Sequence, residues 1–293
     1  MGMNETFRPA AVVAGASTGI GQAAAAALIA AGWRVFGSLR KESDAAAAKS
    51  ELGEAFTPLI FDVTDGAAIA RAPPEVRAAL GGVTLKGLVN NAGVAVTGPL
   101  AYLPTERLQR QFEVNVFGPL RVAQAFLPLL GADRALKGAP GRIVNISSVA
   151  GRIALPFSGP YAMSKHALEA FSESLRRELI VHGVDVIVVG PGAIRTPIWS
   201  KSDESDIAPY LQTEYADILK RMVGLLDEVG AKGLPAEAAG AVIVEALTAA
   251  RPKTRYALLS NRFADWTLPN LLPKRMVDRA VAKRFGMTAR KAP

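Results

Sequence analysis

The chain has 293 residues, half of them apolar, and it contains no cysteine, which excludes disulfide bonds and thiolate metal sites. Its two histidines, His166 and His182, each stand alone beside a basic residue or a glycine, which argues against a metal site and a zinc-dependent enzyme. The net charge of +8 is dispersed and forms no arginine-rich arm, so we expect attraction for phosphates rather than binding to nucleic acid.

Short apolar runs alternate with longer helical stretches, the pattern of a parallel sheet with helices on both faces. This predicts an α/β, Rossmann-type doubly wound sheet of about seven strands in a single domain over residues 1–293, with ligands at the carboxyl ends of the strands. No signal pattern or apolar run of spanning length is present, which favours a cytoplasmic protein. The predicted strands are Ala10–Val13, Trp33–Ser38, Phe56–Phe61, Leu85–Val89, Arg142–Ile146, Asp185–Val189 and Tyr256–Leu259.

A glycine-rich loop follows the first predicted strand and opens the Ile20–Ala31 helix. Gly15, Gly19 and Gly21 let the backbone turn tightly and approach a pyrophosphate without interference from Cβ atoms. The N-terminus of the helix adds unpaired N–H groups and the positive end of its dipole. The loop therefore predicts a dinucleotide site, although a plain strand-to-helix turn has the same residue types.

The end of the second strand distinguishes NADP(H) from NAD(H). An NAD site usually has an acidic residue there, which accepts hydrogen bonds from the ribose, whereas an arginine suits a 2′-phosphate. Here Leu39 occupies the position where an acid is expected, and Arg40 and Lys41 follow it. The sequence therefore favours NADP(H) over NAD(H), against the alternative of a solvated basic turn.

Three side chains form a predicted acid–base cluster. Tyr161 and Lys165 are four residues apart and lie on one face of the Tyr161–Val181 helix. A lysine ammonium beside the phenol is expected to lower its pKa from the usual value of about 10, so that Tyr161 exchanges a proton with a carbonyl or alcohol. Ser148, just after the Arg142–Ile146 strand, is placed to hold the same substrate oxygen.

These residues and five further motifs resemble the short-chain dehydrogenase/reductase family. Asn90-Asn91-Ala92-Gly93 is similar to its N-N-A-G motif, Pro191-Gly192 with Thr196 to its P-G-x-x-x-T segment, and only Ala14 departs from its N-terminal loop pattern. The resemblance implies catalytic roles for Asn115, Ser148, Tyr161 and Lys165, with Asn115 holding a water in a proton relay. It further implies cofactor contacts from Gly15, Ser17, Thr18, Gly19, Ile20, Gly21, Arg40, Asp62, Val63, Asn91, Ala92, Gly93, Tyr161, Lys165, Pro191, Gly192, Ile194 and Thr196.

The family uses the segment that corresponds to residues 193–230 as a substrate lid. Its apolar residues here predict a lipophilic ketone, aldehyde or alcohol, such as a steroid- or retinoid-like compound, unless they only form the core of two lid helices. The residues expected to line the substrate site are Val94, Phe157, Ile198 and Trp199.

Residues 262–293 form a basic C-terminal extension. We expect it to be a terminal helix docked on its own domain, with peripheral membrane contact as the alternative that is not favoured. For the whole chain, a 3-oxoacyl thioester reductase and a non-catalytic NADP(H)-binding regulator remain open beside the oxidoreductase. The family resemblance also implies a homodimer or homotetramer.

Overall fold

A computed structural model describes residues 8–197, 207–261 and 271–288. The predicted substrate residues Ile198 and Trp199 lie outside the described residues. The seven strands form one parallel sheet in the order β3-β2-β1-β4-β5-β6-β7, which confirms the predicted Rossmann-type fold. The strands are β1 Ala10–Ala14, β2 Arg34–Leu39, β3 Phe56–Ile60, β4 Gly87–Asn90, β5 Arg142–Ile146, β6 Asp185–Pro191 and β7 Arg255–Leu258.

Both faces of the sheet are covered by helices, and successive residues of β1 enter two separate cores. Val12 packs with α3 and α5 on one face, whereas Val13 packs with α1 and α8 on the other, as the twofold periodicity of a strand requires. The helices are α1 Gly19–Ala30, α2 Glu42–Leu52, α3 Gly66–Leu80, α4 Thr105–Phe112, α5 Gly118–Leu127, α6 Gly159–Glu178, α7 Ala216–Ala231, α8 Ala236–Thr248 and α9 Lys274–Phe285.

The order of the strands creates a crevice at the carboxyl edge of the sheet. The chain runs outward from β1 to β2 and β3 and then returns to β4 on the other side of β1. Loops after β1 and β4 therefore diverge to opposite faces, which leaves a groove between them.

A third apolar cluster joins helix α7 to the C-terminal helix α9. Phe285 of α9 is 6% exposed and packs with Leu219 and Met222 of α7, as expected for a terminal helix docked on its own chain. Phe157, from the loop before α6, lies in the same cluster. Among the helices that the structure describes, none is long and apolar enough to span a membrane.

Candidate active site

The loop between β1 and α1 folds into a tight cradle made of backbone atoms. Gly15 adopts φ +81°, and its N–H donates to Ser38 Oγ at 2.8 Å. A Cβ on Gly15 would lie 2.8 Å from the Cα of Ala92, and a Cβ on Gly21 would lie 2.0 Å from the Gly15 carbonyl oxygen. Side chains are excluded at both positions, so the bare backbone of the loop faces the crevice.

Helix α1 begins at this cradle. Thr18 is its N-cap residue and makes no side-chain capping hydrogen bond, and the first turn contains no acidic side chain. Ser17 and Thr18 are exposed, and Ile20 is partly exposed. Across the crevice, Thr196 approaches Gly19, where an added Cβ would lie 3.1 Å from Thr196 Cγ2. The positive end of the helix thus remains available to an anion.

Positive charge lies at the end of β2. Arg40 and Lys41 are exposed, and neither makes a salt bridge within the described part of the chain. On the neighbouring strand, Asp62 follows β3, and its Oδ1 accepts hydrogen bonds from the N–H and the hydroxyl of Thr64 at 2.9 and 2.8 Å. Arg40 is therefore free to bind an anionic group at this edge of the sheet.

Asn115 lies in a π-helical turn, Glu113–Phe117, between α4 and α5, and it is 1% exposed. Its Nδ2 donates to the Val94 carbonyl at 2.9 Å and to Ser164 Oγ at 3.1 Å, while its Oδ1 accepts from the Val94 N–H at 2.9 Å. Single π-helical turns occur often at functional sites. The amide is fixed by three hydrogen bonds and connects the segment after β4 to helix α6.

Tyr161 and Lys165 lie one turn apart at the start of α6. The Lys165 Nζ is 5.6 Å from the centre of the Tyr161 ring, and it donates to the Ile146 carbonyl at the end of β5 at 2.8 Å. Ser148 follows β5, and its Oγ accepts from the Ala150 N–H at 3.1 Å. Helix α6 and the end of β5 thus bring the phenol, the ammonium and the hydroxyl together.

Gly93 joins this cluster to the phosphate cradle. A Cβ on Gly93 would lie 3.5 Å from Asn115 Oδ1 and 3.9 Å from Lys165 Nζ, so both side chains meet at this glycine. Two residues earlier, Asn91 Nδ2 donates to the Gly15 carbonyl at 2.7 Å. The segment after β4 therefore holds the two halves of the site in a fixed relation.

Comparison with known proteins identifies the family of this chain. A sequence model described as short chain dehydrogenase matches residues 9–206. The chain belongs to the short-chain dehydrogenase family. It is 41% identical over 273 residues to NADPH-dependent 3-dehydrocapnine reductase of Ornithobacterium rhinotracheale, an alignment that covers 93% of this chain and 96% of that protein.

Further relatives of this dehydrogenase include retinol dehydrogenase 5 of Homo sapiens, which is 32% identical over 283 residues, or 91% of this chain and 85% of that protein. Among solved structures, a short-chain dehydrogenase from Streptomyces avermitilis superposes with a TM-score of 0.74 at 28% identity and covers 97% of each chain. The protein is accordingly an NAD(P)-dependent oxidoreductase that acts on carbonyl groups and alcohols.

The remaining predicted cofactor residues of the dehydrogenase lie at the same edge of the sheet. Pro191 ends β6, and the Gly192 N–H donates to the Leu258 carbonyl at 2.8 Å. Ile194 is 3% exposed, and Val63, after β3, is 5% exposed. Val63 belongs to the apolar core that Val12 enters, and Ile194 forms a single parallel bridge with Leu234.

One electrostatic expectation was wrong. Burial raises the pKa of Tyr161 above its ordinary value, and the neighbouring Ser148 hydroxyl acts in the opposite direction. This effect of burial outweighs any lowering by the Lys165 ammonium, whose Nζ lies 5.6 Å from the ring centre and is bound to the Ile146 carbonyl. The phenol of the dehydrogenase is therefore a stable proton donor near neutrality.

The two predicted substrate residues within the described ranges differ in their surroundings. Val94 is partly exposed beside Asn115 at the mouth of the crevice. Phe157 is 7% exposed, has φ +65°, and packs edge-to-face on Tyr215 with ring centres 5.5 Å apart. In this arrangement Phe157 belongs to the apolar cluster that α7 and α9 form, so its contact with a substrate stays a prediction.

Sequence reasoning missed one buried charged pair near the catalytic side chains. Glu169 lies one turn beyond Lys165 on α6 and binds Arg255 of β7. The spacing of Glu169 from Lys165 was a usable signal, because residues four apart share a helix face. Arg255 had no such signal, because it is distant in sequence.

Proposed function

We propose that this dehydrogenase interconverts a lipophilic ketone or aldehyde and the corresponding alcohol with NADP(H), using Tyr161 as the proton donor and acceptor. The observation that carries the proposal is the meeting of Tyr161, Ser148, Lys165 and Asn115 at the strand ends, beside the glycine cradle. A catalytically inactive regulator of this fold has no need of all four groups.

The residues of the crevice fit a dinucleotide. The loop from Gly15 to Gly21 can pack this tightly only because Cβ atoms are absent, and the start of α1 offers N–H donors to a pyrophosphate. We propose that Asp62 contacts the adenine and that Thr196 holds the nicotinamide. When bound, the nicotinamide supplies or accepts a hydride at the substrate carbon.

The preference for NADP(H) rests on Arg40. Its exposed guanidinium follows β2 without a carboxylate partner in the described residues, and a planar guanidinium can form paired hydrogen bonds with a 2′-phosphate. A relative that is 41% identical carries NADPH dependence in its name, which supports the same preference.

The side chains of the site divide the proton chemistry between them. The Tyr161 hydroxyl donates its proton to the carbonyl oxygen during reduction, and burial keeps that phenol protonated beforehand. Ser148 donates a hydrogen bond to the same oxygen. The Lys165 ammonium stabilises the phenolate that remains, and Asn115 holds a water that returns a proton to it.

A lipophilic substrate is supported by the apolar residues around the mouth of the site. We propose that residues 193–230 act as the substrate lid, with Val94, Phe157, Ile198 and Trp199 as candidate contacts. Two relatives are named retinol dehydrogenases, which supports an apolar alcohol or carbonyl compound.

We further propose a cytoplasmic single-domain protein over residues 1–293 that assembles as a homodimer or homotetramer.

The test is to follow oxidation of NADPH and of NADH at 340 nm over a panel of apolar ketones and aldehydes, retinal and a steroid ketone included. Turnover of apolar members with NADPH, and weak turnover with NADH, supports the proposal. No turnover of any carbonyl, or of the alcohols with NADP⁺, would favour the non-catalytic alternative. Preference for an acyl-thioester substrate would favour the 3-oxoacyl reductase.

A pair of variants tests the role of Arg40. Arg40→Ala is expected to raise the KM for NADPH at least tenfold while the KM for NADH stays within twofold, since a charged phosphate contact is worth about 1.5–3 kcal/mol. Arg71→Ala, which removes another exposed arginine on α3, is the matched control. Equal effects of Arg40→Ala on the two coenzymes would contradict the assignment.

A further inference from the structure

A buried ion pair lies beside the proposed catalytic residues, and none of the roles assigned above uses it. Glu169 is 8% exposed, and the side chain of Arg255 is 16% exposed. Arg255 Nε donates to the two carboxylate oxygens of Glu169 at 3.2 and 3.1 Å, and its Nη2 lies 3.1 Å from Oε1. Burying two charges carries a large desolvation cost, so a role in positioning is a reasonable hypothesis for such a pair.

The same guanidinium holds the backbone of the proposed catalytic serine. Arg255 Nη2 donates to the Ser148 carbonyl at 3.3 Å. Two glycines leave the necessary space, since a Cβ on Gly190 would lie 2.2 Å from Arg255 Nη2, and a Cβ on Gly151 would lie 2.9 Å from Glu169 Cγ. The position of Ser148 thus depends on a side chain from β7, two strands away from β5.

Glu169 also acts on Lys165, one helical turn before it. Burial lowers the pKa of Lys165 to about 8, and the negative charge of Glu169 opposes that lowering. The other polar groups around Lys165 are the Tyr161 phenol, the Ile146 carbonyl and the Asn115 amide. Arg152 lies 3.7 Å from Glu169, but its side chain is 51% exposed and its charge is correspondingly screened.

We propose that Glu169 and Arg255 form a positioning pair, in which Arg255 orients Ser148 through its carbonyl and Glu169 supplies the counter-charge beside Lys165. Neither residue touches the reacting atoms. The inference deepens the proposed function and rests on it for the kinetic consequence, whereas the effect on Lys165 itself is measurable without any substrate.

The first test measures the titration of Lys165 directly. In protein labelled with ¹³C at lysine Cε, the Lys165 resonance is assigned by its loss in Lys165→Arg, and its midpoint is followed by NMR between pH 6 and 11. Glu169→Gln keeps the size of the side chain and is expected to move the midpoint down by at least half a pH unit, roughly threefold in the proton equilibrium. The control, Glu173→Gln, removes an exposed carboxylate one turn further along the helix and is expected to leave the midpoint in place.

The second test separates the contact with Ser148 from the charge. Arg255→Lys keeps a cation beside Glu169 but loses the reach to the Ser148 carbonyl. We expect kcat, normalised to the concentration of NADPH-binding sites, to fall about tenfold, because small displacements of a catalytic group lower the rate. The KM for NADPH is expected to stay within twofold, and the Lys165 midpoint is expected not to change. Arg152→Lys alters the more exposed partner of Glu169 and is expected to keep kcat within twofold.

Several results would overturn the positioning role. These are an unchanged Lys165 midpoint in Glu169→Gln, an equal shift in Glu173→Gln, or a loss in Arg255→Lys that disappears when rates are corrected for the folded fraction. If Glu169→Gln does not fold, Glu169→Gln/Arg255→Gln removes both buried charges together, and a smaller downward shift is expected, because the loss of the Arg255 cation partly offsets the loss of the carboxylate. Absence of turnover by the wild-type protein would instead contradict the proposed function and leave the NMR result standing.

Discussion

At the scale of single residues, the proposed chemistry depends on the Tyr161 hydroxyl. Replacing it, as Tyr161→Phe, removes the proton donor and leaves the glycine cradle and Lys165 in place. We expect kcat to fall by at least about 10²-fold, within the usual range for losing a general acid, with NADPH affinity largely unchanged. Steady-state kinetics and NADPH fluorescence titration measure the two quantities. Near-wild-type rates in Tyr161→Phe would mean that another group delivers the proton.

The pH dependence of the reaction is expected to follow Lys165. Its pKa in the folded protein is about 8, so the ammonium dominates below that pH and is lost as the pH rises through it. The pKa of Tyr161 is raised by burial, so the phenol remains protonated over the same range. We expect kcat for carbonyl reduction to fall as the pH rises past about 8. A profile that stays flat to pH 10 would contradict the role of this ammonium.

The sequence was sufficient to predict that the candidate catalytic side chains lie close together, and insufficient for their charge states. Tyr161, Lys165 and Ser148 lie close in the chain, so helix periodicity and the strand end already bring them together. The raised pKa of Tyr161 depends on how deeply the phenol is buried, which no local pattern in the chain reveals. Arg255 reaches Ser148 only because β7 pairs with β6, and no local pattern in the chain contains that pairing.

At the scale of the elements, the loop between β1 and α1 is the least tolerant segment of the site. Gly21→Ala would place a Cβ 2.0 Å from the Gly15 carbonyl oxygen and 2.4 Å from Asn91 Nδ2. We expect the free energy of unfolding to fall by about 1–3 kcal/mol, as for other overpacked positions, and NADPH binding to weaken. Urea denaturation and fluorescence titration measure the two effects.

The matched control is Gly224→Ala in helix α7, where an added Cβ meets no atom within 4 Å. Alanine favours a helix by about 0.5–1 kcal/mol over glycine, so this variant is expected to be slightly more stable than the wild type. If both glycine variants changed stability in the same direction, steric exclusion at Gly21 would not be the explanation.

The sequence predicted that each of the seven strands exists, but it predicted the residues at which they begin and end less well. Buried apolar runs predicted each strand, yet the fourth begins at Gly87 rather than Leu85, because pairing with β1 starts at Ala11 opposite Gly87. The π-helical turn around Asn115 had no counterpart in the sequence analysis. Its existence depends on contacts with Val94 and Ser164, which come from other elements.

At the scale of the whole molecule, the C-terminal helix α9 packs on helix α7 through Phe285. That side chain is 6% exposed within the cluster formed with α7. We expect Phe285→Ala to lower the free energy of unfolding by about 3 kcal/mol, as for other buried phenylalanines. Met276→Ala, on the exposed part of the same helix at 51% exposure, is expected to change it by less than about 0.5 kcal/mol. Equal stability of the two variants would contradict the docked arrangement.

The central claim for the molecule is transfer of a hydride from the nicotinamide to a carbonyl carbon that Tyr161 protonates on oxygen. The most direct measurement uses NADPH carrying deuterium at C4, prepared separately in each of its two configurations, with the best carbonyl substrate of the panel. Mass spectrometry of the alcohol is expected to show one deuterium on the carbinol carbon from one configuration and none from the other. An alcohol without deuterium from either cofactor, or with equal label from both, would contradict transfer in a fixed site.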